Sequence, residues 1–90
     1  MAITALFTPK ILNPDQYNEA ILRLEQAGAG SPKGRLYHVC YGNSDQLQIF
    51  GVWESVEDLQ QFGKTLGPIA QQLGIDPGEP VVNPVQEIRQ

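Results

Sequence analysis

The chain has one cysteine, one histidine and few basic residues, and each shortage excludes something. A lone cysteine rules out an intramolecular disulfide and fits a reducing compartment. A lone histidine, with the acids dispersed along the chain, leaves no cluster suited to ligating a metal. Six Lys and Arg against ten Asp and Glu give a formal charge of −4. Without a basic patch, nonspecific binding to nucleic acid or to an anionic membrane is not expected. No apolar run approaches the length of a membrane span, and Met1–Ile11 lacks the basic start and long hydrophobic core of a secretion signal. A soluble cytoplasmic protein is the expectation. The glycines of Ala27–Gly34, AGAGSPKG, do not form a GxxxxGK[ST] phosphate loop and follow a predicted helix, so they read as a flexible connection.

What remains is one domain of 90 residues, near the small end of what folds without staples, and therefore a candidate for self-association. It is organised around Tyr37–Glu54, YHVCYGNSDQLQIFGVWE. The aromatic and β-branched content of this stretch predicts two strands, with a turn at Gly42–Asp45. Ile3–Thr8 predicts a first strand that Pro9 ends or leaves at an edge. Asn13-Pro14, with Gln16 in the capping-box position, opens a helix that runs to about Ala27. Tyr17, Ala20, Ile21, Leu24 and Ala27 form its apolar face.

Ser55 caps a second helix, and Val56, Leu59, Phe62, Leu66, Ile69 and Leu73 repeat at spacings of three and four. Gly67-Pro68 predicts a kink or a break within it. Glu79–Ile88 predicts a last extended stretch, confined to an edge or interrupted by Pro80 and Pro84. The order strand-helix-strand-strand-helix-strand is the split βαβ arrangement. It predicts an α+β, ferredoxin-like domain: a four-stranded antiparallel sheet with both helices on one face. The other face then lacks cover within the chain, and a second subunit is the expected cover.

A turn centred on Asn43-Ser44 pairs Gly42 with Asp45, Cys40 with Leu47 and His38 with Ile49. Alternation places Leu36, His38, Cys40, Leu47, Ile49, Gly51 and Trp53 on one face. Tyr37, Val39, Tyr41, Gln48, Phe50, Val52 and Glu54 take the other. The first set combines a titratable group, a thiol, an indole and a glycine gap. It is assigned here to a cavity at the junction of two subunits.

His38 is the one side chain whose ordinary pKa lies near neutrality, so it is the candidate general base. Cys40, two residues away on the same face, lies roughly 7 Å along the strand. That is too far for a direct nucleophile–base pair, so Cys40 is a candidate pocket wall. Trp53 and Tyr41 are candidates for lining an aromatic or apolar ligand site. Tyr17 reads as packing of the first helix on the sheet.

The element order and the junction Ile49–Leu59, IFGVWESVEDL, resemble the antibiotic biosynthesis monooxygenase-like family of the dimeric α+β barrel superfamily. The likeness lies in a strand ending in Trp53-Glu54-Ser55, then an acid-rich helix start, then Leu59 and Phe62. The resemblance implies a homodimer that joins two sheets into a barrel. It also implies oxygenases that act on quinol or polyketide-like aromatics with no cofactor. Haem-degrading relatives use a helix-borne histidine and an asparagine in the first strand, and this chain has neither, so no haem is expected.

Two functions follow. In one, a dimeric enzyme deprotonates a small aromatic or enolisable molecule through His38 and lets it react with dioxygen. In the other, a noncatalytic dimer binds a small ligand or a protein partner.

Overall fold

The computed structural model describes residues 1–89. The elements are β1 (Ile3–Phe7), α1 (Pro14–Gln26), β2 (Arg35–Asn43), β3 (Gln46–Trp53), α2 (Val56–Gln72) and β4 (Val81–Pro84). The strands form one sheet in the order β2-β3-β1-β4, and every neighbouring pair is antiparallel. This is the α+β, ferredoxin-like arrangement expected from the element order. The proline-rich β4 lies at an edge and ends at Pro84, where a missing N–H costs least.

Local chemistry sets both helix starts. The Gln16 N–H donates to Asn13 Oδ1 at 2.8 Å, and the Asn13 N–H donates to Gln16 Oε1 at 3.0 Å, closing a capping box ahead of α1. At α2 the Asp58 N–H donates to Ser55 Oγ at 3.2 Å. Of the kink or break expected at Gly67-Pro68, the break does not occur: α2 runs unbroken through Pro68. Lys64 and Pro68 both lie on the exposed side, so the Lys64 carbonyl that loses its donor can be hydrated. Beyond Pro68, buried Ala70 and half-buried Leu73 hold the last turn against the core.

The hairpin turn lies one residue later than expected. Asn43 pairs with Gln46, Gly42 with Leu47, Cys40 with Ile49 and His38 with Gly51. The pairing moves by two positions, an even number, so the expected faces survive the shift. Their assignment does not. The face carrying His38, Cys40 and Trp53 meets the helices of its own chain. Trp53, Ile3 and Ala5 cluster with Leu59 of α2, while Leu47 clusters with Ala20 of α1 and Ala70 of α2, with Cys40 and Ile49 packed alongside. The cavity placed at a subunit junction therefore lies inside one chain. The aliphatic residues Leu47 and Ile49 decide this, because they need the dry side of the sheet.

Leu12, just before α1, is the largest fully buried side chain. Its N–H donates to the Asp45 carbonyl at 2.6 Å, and its carbonyl accepts from the Leu47 N–H at 3.0 Å, in a parallel bridge beside β3. The opposite sheet face carries Leu6, Val39, Phe50 and Val52 together with exposed Tyr37, Tyr41 and Val81. Among the described residues, no helix covers it.

Candidate functional site

A cavity of about 70 Å³ lies between the sheet and the two helices. It draws its walls from both halves of the core, and small side chains leave the room. Ala5 and Gly51 on the sheet, Ala20 on α1 and Ala70 on α2 all face it. The larger walls are Phe7 and Trp53 from the strands, Ile21 and Leu24 from α1, and Phe62 and Leu66 from α2. Trp53 is buried and packs on Phe62, with ring centroids 5.2 Å apart and planes at 40°. Gly51 lies close beside it: a Cβ there would come within 3.1 Å of the indole Nε1, so the ring would have to shift by a few tenths of an ångström to admit a side chain.

The polar groups gather on Tyr17, His38 and Arg35. Tyr17 Oη and His38 Nε2 are 2.7 Å apart, and the two rings stack with centroids 6.1 Å apart at 20°. Burial, and then the Arg35 charge, lower the His38 pKa below its ordinary 6.5. His38 is therefore a neutral imidazole at pH 7, able to accept a proton. Burial, with Cys40 adding to it, raises the Tyr17 pKa above 10.0, and Arg35 partly offsets the rise. Tyr17 thus stays a phenol that can pass a proton on. Burial also raises the Cys40 thiol above 9.0, which opposes thiolate formation.

Of the four residues singled out from the sequence, His38 and Trp53 line the cavity. Cys40 packs into the neighbouring core cluster and does not join the lining. Tyr41 stands on the opposite sheet face, where its hydroxyl donates to Gln48 Oε1 at 3.0 Å. Among the described residues no group of three or more His, Cys, Asp or Glu side chains could hold a metal ion. Among the described residues no helix is long and apolar enough to cross a membrane.

No family model matches the sequence, and no curated protein matches it significantly. Solved structures do resemble the fold. A mutant form of SnoaB from Streptomyces nogalater, a cofactor-independent oxygenase, superposes with a TM-score of 0.66 at 12% identity, covering 97% of this chain and 95% of that one. A candidate antibiotic biosynthesis monooxygenase from Caulobacter crescentus gives 0.62 at 16% identity, covering 98% and 91%. Protein YjcS gives 0.65 at 13% identity, covering 96% and 100%. The chain shares the α+β, ferredoxin-like fold of these proteins.

Within that fold, the sequence reading missed Tyr17 and Arg35 as lining residues of the cavity. Tyr17 was readable in part, because it is the one member of the α1 apolar face with a polar tip. Arg35 was not readable, because it reaches the cavity through a backbone irregularity. Pairing runs Tyr37 with Val52 and then Arg35 with Trp53, skipping Leu36. The bulge turns Leu36 outward, 52% exposed, and gives its inward place to Arg35.

Proposed function

We propose that the chain is a cofactor-independent monooxygenase, working as a cytoplasmic homodimer on a small aromatic or enolisable molecule held in this cavity. The observation that carries the reading is the Tyr17–His38 hydrogen bond in an otherwise apolar chamber. A cofactor-independent oxygenase of like fold supports the chemistry. In the proposed relay Tyr17 Oη accepts the substrate proton while its own proton passes to His38 Nε2. The products of this step are an imidazolium and a substrate enolate or phenolate.

Trp53 and Phe62 keep water from the anion. Its carbon forms a C–O bond to dioxygen with electrons from the substrate itself. The resulting hydroperoxide loses water, so a CH₂ carbon and O₂ become a carbonyl and H₂O with no external reductant. Tyr41, on the outer sheet face, then belongs to the contact between subunits, and Cys40 supports the packed core next to the site.

The volume limits the substrate. A dry cavity of roughly 150 Å³ accommodates benzene, and this one is about half that. A short enolisable acid or ketone fits better than a ring, which would have to displace Phe62 or Leu66. The same small volume favours the second reading, a noncatalytic dimer holding a small ligand.

The two part on dioxygen uptake with a panel of enolisable and phenolic compounds. The enzyme reading expects uptake without added metal or flavin, reduced about a hundredfold or more in His38→Ala. An unchanged rate in that variant removes His38 from the mechanism. No uptake across the panel favours the noncatalytic dimer.

A further inference from the structure

Arg35 occupies a position that the hairpin would ordinarily give to Leu36. The bulge exposes a leucine and turns a cation toward an apolar cavity, the reverse of the usual partition. Among the described residues no carboxylate pairs with that cation. The ion pairs among the described residues are Arg23–Glu19 and Arg89–Glu87, and neither involves Arg35. Arg35 Nη2 donates to the Gly30 carbonyl at 3.2 Å, which leaves other donors of the guanidinium fork free.

The neighbouring polar groups cannot supply the missing negative charge. Tyr17 is held as a phenol and His38 as a neutral imidazole. The Trp53 indole N–H, also on the lining, has no side-chain hydrogen bond among the described residues. It is not sealed from accessible space either. The site therefore offers a few donors and carries one net positive charge within walls that are otherwise apolar.

We propose that the cavity recognises a small organic monoanion, a short carboxylate or the enolate of a keto acid, with Arg35 as its counter-ion. This extends the oxygenase reading of the same site by naming its substrate class, but anion binding itself does not rest on oxygen chemistry. Arg35 presents a planar fork matched to a carboxylate. The apolar walls admit a tail of a few carbon atoms.

Trp53 is the only tryptophan, so its emission and its indole N–H resonance report on the cavity alone. The full chain is titrated at fixed ionic strength with acetate and propionate, and in parallel with acetamide and propionamide, which match them in shape but carry no charge. The carboxylates are expected to give a saturable change, and the amides to bind at least about tenfold more weakly. In Arg35→Gln the carboxylates should fall to the level of the amides, while Arg35→Lys keeps the preference for charge.

Equal binding of carboxylate and amide overturns the proposal. So does the absence of a saturable response to any of the four, or a carboxylate preference that survives in Arg35→Gln. If the glutamine variant does not fold, the comparison of wild type with Arg35→Lys still decides, because loss of the preference despite a retained charge also counts against it. The titration needs no dioxygen, so an anion site without oxygen uptake refutes only the oxygenase reading. Oxygen uptake on neutral substrates by Arg35→Gln, without carboxylate binding in wild type, refutes only the anion site.

Discussion

His38 is held in its neutral form by burial and by the nearby Arg35 charge, and this has a consequence for stability. Between its lowered folded pKa and the ordinary 6.5, the unfolded chain binds more protons at this position than the folded chain does. Stability from this group therefore rises with pH through that window and is lost as pH falls below 6.5. Thermal unfolding of wild type and His38→Gln at about pH 5 and about pH 7.5 isolates the effect, because the carboxylates titrate alike in both proteins. Wild type should lose more Tm on acidification than the variant. Parallel losses would mean that His38 takes up its proton in the folded state as readily as in the unfolded one.

The same scale shows what a sequence conceals. His38 and Trp53 were legible as lining residues of the cavity because each is the only one of its type and both fall on one face by alternation. Arg35 was hidden because alternation counts positions, and the bulge at Leu36 breaks the count. Leaving that leucine half exposed forfeits about 1 kcal/mol of burial, a cost no residue-by-residue reading anticipates.

Among the elements, α2 departs most clearly from expectation. A proline inside a helix costs about 3 kcal/mol relative to alanine, enough to predict the break at Gly67-Pro68. The helix continues because a break there would take buried Ala70 and half-buried Leu73 off the core. Packing outweighs the proline, but its cost remains. Pro68→Ala should raise the unfolding free energy by about 1–2 kcal/mol, the unfolded chain's greater freedom offsetting part of the gain. Urea denaturation measures it. A loss of stability would instead mean that Pro68 imposes a helix shape the cavity needs.

The capping residues Asn13 and Ser55 were legible because a cap is local chemistry. Leu12 and Ile75, both buried, were not, because they sit in connecting segments where no periodicity marks an apolar residue as core. The hairpin turn slipped by one residue for a related reason. Gly42–Asp45 offers several turn-forming positions, and the choice is made by Leu47, which pairs with Gly42 and bridges to Leu12.

For the whole molecule, the open balance is the outer sheet face. Leu6, Val39, Phe50 and Val52 form its centre, with Tyr37, Tyr41 and Val81 exposed around them. A sheet in water on one face ordinarily alternates apolar with polar residues, and this one is largely apolar on both, with Thr4, Gln48 and Asn83 the polar members of the outer face. A second copy seated sheet to sheet removes that surface from water without disturbing the cavity, which opens on the other side of the sheet. The proposed dimer contact and the proposed chemistry thus fall on opposite faces of the same strands, and a change to one should spare the other.

Sedimentation equilibrium should give twice the 9.9 kDa chain mass for wild type and the single-chain mass for Phe50→Asp, since an unpaired charge at the centre of a dry interface has no partner. The variant should keep its Trp53 emission maximum, because Phe50 points away from the indole's face of the sheet. Monomeric wild type at micromolar concentration would leave the apolar face without its proposed cover. A dimeric Phe50→Asp would place the contact elsewhere on the surface. A monomeric variant with shifted Trp53 emission would show that the two faces are not separable, and that the second subunit holds the cavity in shape from behind the sheet.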